Sequence, residues 1–237
     1  MVDRRHDNIP AGEAAPPGEM GAADCDSRER SGSVREWSVM NRVAVLFLVL
    51  GLVSAAWAEP RVRPVEWAQP VIGVDLGNFY HVSDEVYRSE QPDHKAMQQL
   101  RAFGIRSILN LREYHRDDDK AEGSGIRLYR VPMDAGKVDE REIVRALGVI
   151  ATADKPLLVH CWHGSDRTGM VVALYRMVFQ QWPRERAIDE FVNGGYGYHK
   201  SVFPNIEEYL KSVDIERLRG EVDSARSARL QSAAGAK

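Results

Sequence analysis

The chain has 237 residues, of which 43% are apolar and 28% are charged, and its formal net charge is −3 at pH 7. This length and composition are typical of one globular domain of ordinary size with extensions. The balanced charge argues against a general electrostatic affinity for nucleic acid or for an anionic membrane surface, so no nucleic-acid partner is expected.

Residues 1–39 are not predicted to belong to a folded domain. They are rich in Gly, Pro, Ala and charged residues, and they show no apolar periodicity, which is typical of a disordered leader. Met40 stands immediately before a segment with the features of an export signal, so we expect translation to begin there. The alternative is that residues 1–39 form a cytoplasmic tail ahead of a membrane anchor.

Residues 40–58 are predicted to be a secretory signal peptide. Arg42 precedes the apolar run Val43–Val53, and the small-residue pattern Ala56-x-Ala58 follows it. The run is shorter than the roughly 20 residues that a membrane span requires. We therefore expect export, to the periplasm or outside the cell, with only a transient membrane contact. An uncleaved amino-terminal anchor is the alternative.

The cysteine content of the expected mature chain points to a reactive thiol. Cys25 lies in the leader, so cleavage after Ala58 would leave Cys161 as the single cysteine of the mature chain. A lone cysteine in an exported protein cannot form an internal disulfide, and Cys161 is therefore predicted to be a free, reactive thiol.

The mature chain is predicted to contain one domain. Residues 59–77 are interpreted as an extended linker, residues 78–213 as the domain and residues 214–237 as a flexible tail. In chain order the predicted elements are a hairpin with strands at 78–82 and 86–89, a helix at 93–103, strands at 105–111 and 126–131, a helix from 139 to 151, a strand at 156–160, and helices at 170–179, 183–192 and 204–213.

This order of elements predicts the fold class. Asp93 and Asp139 stand at helix N-cap positions, and Gly104 stands where the first helix would end. The alternation of strands and helices predicts an α/β fold of three layers, with helices flanking a central, mostly parallel sheet. Residues 112–125 are charged and are interpreted as a surface loop, including the solvated run Asp117–Asp119, so no metal site is expected.

A loop that begins at Cys161 carries the clearest chemical signal. An apolar strand ends in this cysteine, and an apolar helix begins after Arg167 and Thr168. Loop amides and a helix N-terminus converge on one point in such a turn, which favours a bound oxyanion and a thiolate. Arg167 offers a planar fork for two phosphate oxygens. Gly164 permits a positive φ and a close approach of the backbone to a ligand.

The spacing His160-Cys161-(five residues)-Arg167-Thr168-Gly169 resembles the signature of the cysteine-dependent protein tyrosine and dual-specificity phosphatase superfamily. Three further segments are similar to compact bacterial members, and the resemblance covers about residues 78–210. These segments are Tyr87–Pro92, Ile108–Arg112 and Gly194–Tyr198. The resemblance implies the three-layer phosphatase fold and hydrolysis of a phosphate monoester through a phosphocysteine intermediate, without metal or cofactor.

The resemblance also implies residue roles. Cys161 is the expected nucleophile, Arg167 the phosphate ligand, and the Thr168 hydroxyl would stabilise the thiolate and assist its departure. The remaining residues of the expected phosphate-binding loop are His160, Trp162, His163, Gly164, Ser165, Asp166 and Gly169. Among these, His160 is interpreted as a hydrogen-bonding scaffold and Trp162 as a wall of the pocket. Arg88 and Arg112 could face the site, although an exposed position is commoner for arginine.

A general acid must protonate the leaving oxygen, and three carboxylates are candidates. In the family this acid is usually an Asp on a loop ahead of the cysteine strand, and Asp134, between a strand and Gly136, is the preferred candidate. Asp139 is a rival, but it also fits as a helix N-cap. Asp166, directly before Arg167, occupies the position of an Asp in the myotubularin lipid phosphatases.

The expected substrate is a phosphorylated protein (phosphotyrosine or phosphoserine/threonine) or a small molecule such as an inositol phosphate or a lipid headgroup. Two other functions use a similar loop: a rhodanese-type sulfurtransferase and a non-catalytic phosphate-binding module. Thr168-Gly169 after Arg167 argues against the first, and the thiol of Cys161 argues against the second. The protein is expected to act as a monomer.

Overall fold

The computed structural model describes residues 62–235. The predicted leader and signal peptide lie outside these residues, as does the predicted cleavage site after Ala58. Within the described part, no helix combines the length and the apolar character needed to cross a membrane.

Within residues 62–235, six strands form one mixed sheet. They are β1 (Gln69–Pro70), β2 (Tyr80–Ser83), β3 (Val86–Ser89), β4 (Ser107–Asn110), β5 (Arg127–Arg130) and β6 (Leu157–His160), in the spatial order β1-β2-β3-β6-β4-β5. The pairings β3–β6, β6–β4 and β4–β5 are parallel, and the β1–β2 and β2–β3 pairings are antiparallel. The predicted hairpin and the mostly parallel sheet are confirmed.

Residues 62–235 contain six helices, of which the first five follow the predicted pattern with shifted ends and the sixth was not predicted. They are α1 (His94–Phe103), α2 (Glu140–Thr152), α3 (Asp166–Val178), α4 (Arg184–Asn193), α5 (Pro204–Ser212) and α6 (Ile215–Gly235). The Asp93 carboxylate accepts from Ala96 N at 2.7 Å and that of Asp139 from Arg141 N at 2.9 Å, which confirms both N-caps. Gly104 ends α1 with φ +112°, in the left-handed region.

The sheet is covered on both faces, which explains the continuous apolar run of its central strand. Side chains of β6 alternate in direction. Leu157 and Val159 pack into the larger core, to which α2 to α6 contribute, whereas Leu158 packs with α1 residues such as Met97 and Leu100. The three-layer α/β architecture is therefore confirmed.

The predicted linker at 59–77 is wrong for its described part. Trp67 and Ala68 are buried, and the next two residues form β1, which pairs with β2 at the edge of the sheet. The sequence concealed this because Pro60, Pro64 and Pro70 interrupt the apolar residues of the segment, although an edge strand tolerates proline.

The predicted flexible tail at 214–237 is also wrong for its described part. Residues 215–235 form α6, and Leu218 and Val222, one turn apart, are fully buried. Arg219 Nε donates to the carbonyl oxygen of Val178 at 3.1 Å, which attaches the helix to α3. Charged residues on the other faces of α6 mask this narrow apolar stripe in the sequence.

Candidate active site

The Cys161 loop lies at the carboxyl end of the central strand β6. Cys161 follows β6 directly, is almost fully buried and has a free thiol. Five residues later the chain enters α3 at Asp166. The neighbouring strands β3 and β4 end at the same edge, so the segments that follow them can reach the loop.

The loop's shape is set by bonds to its outward-facing carbonyl groups. The carbonyl oxygen of Cys161 accepts from His160 Nδ1 at 3.0 Å, and that of Trp162 accepts from Gln91 N at 2.9 Å. The carbonyl oxygen of His163 accepts from Asn78 Nδ2 at 2.8 Å, and that of Gly164 accepts from Arg88 Nη2 at 2.5 Å. In a trans peptide the next N–H points away from the carbonyl oxygen. The N–H groups of residues 162–165 are therefore directed to the opposite side, where they form a nest for an anion.

Arg88 holds the loop from within the core rather than from the surface. Its guanidinium is 1% exposed and stacks 3.6 Å above the ring of Tyr196. The preference for an exposed Arg88 was wrong, because this side chain is held between the aromatic ring and the Gly164 carbonyl. Arg112 is also buried, with its guanidinium 3.9 Å from the ring centre of Trp162.

Gly164 and Gly169 are required by the loop's close contacts. Gly164 has φ +73°, as predicted, and a Cβ there would lie 2.4 Å from the carbonyl oxygen of Ser89. A Cβ on Gly169, in the first turn of α3, would lie 2.4 Å from the ring of Phe191. Each glycine thus allows the loop to pack closely against its support.

Arg167 and Thr168 bring unsatisfied donors to the first turn of α3. Within residues 62–235, Arg167 Nε and Thr168 Oγ1 are buried and have no hydrogen-bond partner, a costly state that a bound oxyanion would relieve. Arg167 Nη1 donates to the carbonyl oxygen of Met133 at 3.3 Å. Because Met133 precedes Asp134, this bond attaches the loop that carries Asp134 to the phosphate-binding loop.

The three candidate acids have different surroundings. Asp139 caps α2 and pairs with Arg141, whose hydrogen bond lowers the pKa of Asp139 below its usual range. Asp166 is buried and accepts from the backbone N and the Nδ1 of His199, each at 2.9 Å. Asp134 is exposed, and its carboxylate accepts from Gly136 N at 2.8 Å. Of the three, Asp134 is the one that neither caps a helix nor binds another side chain in the described contacts.

The Asp134 assignment predicts a leaving-group effect. Asp134→Asn should lower kcat about 100-fold for alkyl phosphates, because general acid catalysis contributes about 10²–10⁴-fold. Activated aryl phosphates should lose little, since their leaving oxygen needs little protonation. The measurement is kcat across a series of leaving groups, together with its pH profile, which should lose one limb.

Asp139→Asn is the matched control for this series. It should cost at most about 1 kcal/mol of stability, because Asn also caps helices, and should leave kcat unchanged. A leaving-group dependence in Asp139→Asn or Asp166→Asn, but not in Asp134→Asn, would assign the acid to the other residue.

Asp117 supports the catalytic strand, and its prediction as part of a solvated run was wrong. Asp117 is buried, and its carboxylate accepts from His160 Nε2 at 2.9 Å and from Gln91 Nε2 at 2.8 Å. Burial acts to raise the pKa of Asp117, but these hydrogen bonds and the charge on His160 outweigh it, so the pKa is lowered. The ionised form stabilises the fold, and this contribution is lost as pH falls through the lowered pKa.

An aromatic rim surrounds the mouth of the loop. Trp162 is 43% exposed, and its ring centre lies 5.9 Å from that of His115 and 6.1 Å from that of His163. The rings of His163 and His199 are 5.5 Å apart. Burial and the neighbouring His199 lower the pKa of His163 below its usual range.

The sequence reasoning missed several residues that hold the loop. Asn78 and Gln91 donate hydrogen bonds to carbonyl oxygens of the loop, and the ring of Tyr196 stacks against the guanidinium of Arg88. His199 donates to the carboxylate of Asp166. The one available signal was that the segments Tyr87–Pro92 and Gly194–Tyr198 resemble family motifs. No spacing in the sequence could show which of their side chains reach the loop.

Known proteins share both the sequence and the fold. A model described as the tyrosine phosphatase family matches residues 74–223. The dual specificity protein phosphatase TpbA of Pseudomonas aeruginosa is 31% identical over 190 residues, covering 77% of this chain and 84% of that protein. The inositol diphosphatase SIW14 of Saccharomyces cerevisiae is 28% identical over 151 residues, covering 60% of this chain and 53% of that protein.

Solved structures agree with these matches. A crystal structure of P. aeruginosa TpbA superposes with a TM-score of 0.62 at 28% identity, covering 68% of this chain and 99% of that chain. The core catalytic domain of SIW14 superposes with a TM-score of 0.55 at 26% identity, covering 64% of this chain and 95% of that chain. Because the family match spans more than half of the chain and includes the whole Cys161 loop, the chain belongs to the tyrosine phosphatase family and is a cysteine-dependent phosphatase.

Proposed function

We propose that Cys161 attacks the phosphorus atom of a phosphate monoester in line, forming a phosphocysteine that water then hydrolyses. Arg167 and the N–H groups of residues 162–165 bind the equatorial oxygens and stabilise them as charge shifts. Asp134 protonates the leaving oxygen and then acts as base toward water. The observation that carries this proposal is the set of outward-held carbonyls, which directs consecutive N–H groups to one side of the loop.

We propose phosphorylated protein as the substrate, with phosphotyrosine preferred. Trp162 follows the proposed nucleophile directly in the chain, and much of its surface is exposed. Its ring contacts the guanidinium of Arg112 and the ring of His115. An aromatic wall of this kind suits a phenyl ring better than a short alkyl chain. The relative TpbA supports this proposal, because it is named a dual specificity phosphatase and has a crystal structure in complex with pTyr.

A second candidate is a small molecule that carries more than one phosphate group. His163 and His199 are in ring contact next to the loop, and a ring N–H of His163 would donate to a second anionic group there. The matches to inositol diphosphatases from yeast and plants favour this alternative.

A substrate panel tests the two candidates. The chain from Glu59 onward is assayed against phosphotyrosine, phosphoserine and phosphothreonine peptides, inositol polyphosphates and phosphoinositides. We expect the highest kcat/KM with phosphotyrosine peptides and a loss of about tenfold in Trp162→Ala, the size of one aromatic contact. Val202→Ala, which also removes an exposed apolar side chain, is the control. A higher kcat/KM for inositol polyphosphates that falls in His163→Gln would favour the second candidate.

We also propose that the protein is exported and that its mature amino terminus is Glu59. The Ala56-x-Ala58 pattern after the apolar run supports cleavage at this position. Mass spectrometry of the natively expressed protein should give a chain that begins at Glu59, recovered from the periplasm or the medium. A chain that retains Val43–Ala58 in the membrane fraction would support the anchor instead.

A further inference from the structure

The segment 62–70, which precedes the region matched by the family model, is attached to the elements that hold the catalytic loop. Its main attachment is Arg63, a partly buried side chain. Arg63 Nη1 donates to the carbonyl oxygen of Gly194 at 2.7 Å, and Nη2 donates to the Tyr196 hydroxyl at 2.6 Å. Its Nε donates to the carbonyl oxygen of Ala68 at 2.7 Å, which folds the segment around the guanidinium.

The contacts of Arg63 continue into a buried ionic cluster. The Tyr196 hydroxyl donates to Glu190 Oε1 at 3.1 Å, and Ala68 N donates to the same oxygen at 2.6 Å. Arg176 Nε donates to Glu190 Oε2 at 2.8 Å, so the carboxylate is fully engaged. Burial raises the pKa of Tyr196, which keeps its hydroxyl protonated and able to donate to Glu190 while it accepts from Arg63.

Tyr196 in turn contacts the catalytic loop by two routes. Its ring stacks against the guanidinium of Arg88, and Arg88 Nη2 donates to the carbonyl oxygen of Gly164. Its own carbonyl oxygen accepts from Ser165 Oγ at 2.6 Å and from Asn78 Nδ2 at 2.9 Å. The position of Tyr196 therefore partly determines the orientation of the peptide planes whose N–H groups are directed toward phosphate.

We propose that Arg63 is a positioning residue of the phosphatase: it fixes Gly194 and Tyr196, and through them the Gly164–Ser165 peptide of the phosphate-binding loop. The segment 62–70 is thus a strap that belongs to the catalytic unit, although it lies before the family match at residues 74–223. This inference rests on the proposed role of the loop. It implies that proteolysis of the exported chain on the carboxyl side of Arg63 would lower catalysis while the nucleophile stays intact.

The test compares Arg63→Ala with Arg186→Ala. Arg186 attaches the same segment, since its Nη2 pairs with Glu66 Oε1 at 2.9 Å, but it contacts neither Gly194 nor Tyr196 in the described contacts. Orthovanadate, which mimics the five-coordinate transition state, is titrated by calorimetry, and kcat/KM is measured with aryl and alkyl phosphates. Vanadate affinity per folded molecule does not change if a variant is merely less stable, and its measurement needs no turnover.

Arg63→Ala should weaken vanadate binding and kcat/KM together by about tenfold, as expected for a small displacement of a preorganised group. The loss should be equal for good and poor leaving groups, because the acid is untouched. Arg63→Lys should lie between Arg63→Ala and the wild type, since one ammonium cannot reach all three acceptors, and Arg186→Ala should stay within twofold. If Arg63→Ala fails to fold, Tyr196→Phe provides the second test.

Tyr196→Phe keeps the ring beneath Arg88 and removes the hydroxyl that Arg63 binds. This variant should weaken vanadate binding about threefold. The double variant with Arg63→Lys should lose less vanadate affinity than the product of the two single losses, because the two residues share one contact. Vanadate affinity within twofold of wild type in both Arg63→Lys and Tyr196→Phe would overturn the proposal. An equal loss in Arg186→Ala would also overturn it. If the wild type binds vanadate but hydrolyses none of the substrates, the proposed function is contradicted, but the positioning role proposed for Arg63 is not.

Discussion

Cys161→Ser is expected to reduce turnover of an aryl phosphate by at least about a thousandfold, because an un-ionised hydroxyl is a far weaker nucleophile than a thiolate. The replacement is nearly isosteric at a buried position, so the loop should keep its shape. Initial rates with an aryl phosphate measure the loss, and trapping with a phosphorylated substrate should give a phosphocysteine in the wild type and no phosphoenzyme in Cys161→Ser.

The control for this variant is anion binding. The N–H groups of residues 162–165 and Arg167 do not depend on the sulfur, so inorganic phosphate should bind Cys161→Ser within a fewfold of the wild type. Turnover within tenfold of wild type would disprove the assignment of Cys161 as nucleophile. Loss of phosphate binding along with turnover would instead indicate that the loop had collapsed.

Arg167→Lys is expected to lower kcat/KM by about 100-fold or more. An ammonium is a point charge that cannot bind two equatorial oxygens in the plane of a guanidinium. It also cannot hold the Met133 carbonyl and the phosphate at once, so the Asp134 loop should lose part of its attachment. The measurement is kcat/KM with an aryl phosphate and with an alkyl phosphate, and the alkyl substrate should suffer more.

The matched control is Arg145→Lys, on the exposed face of α2, where Arg145 pairs with Glu142 at 3.8 Å. An exposed pair of this kind contributes little, so this variant should match the wild type. A fall of less than about tenfold in Arg167→Lys, roughly 1.4 kcal/mol of transition-state stabilisation, would contradict the account of the loop.

The elements near the active site were predictable because their signals are local. An apolar run before Cys161 indicated a buried strand, and Asp93 and Asp139 marked helix starts through bonds that span only two or three residues. The positive φ of Gly164 was likewise expected from the turn that the loop has to make.

The wrong predictions share one physical cause. Asp117 appeared solvated because it stands in an acidic run, but folding brings it against His160, 43 positions along the chain. Arg88 was expected to be exposed because arginine is usually found at the surface, and segment 62–70 was interpreted as a linker because two prolines interrupt it. Their burial depends on partners such as Tyr196 and Glu190, more than 100 residues away from both of them.

The sequence by itself indicated the phosphate-binding loop, the expected nucleophile and most of the strands and helices, because each depends on neighbours close in the chain, and the resemblance of the Cys161 loop to a family signature indicated the reaction class. Only the tertiary structure decided which side chains hold the loop: Asn78, Arg88, Gln91 and Tyr196. It also decided that residues 62–70 and helix α6 belong to the domain. These contacts join residues distant in the chain, and the burial that gives a polar side chain its partner exists only once the strands and helices have packed.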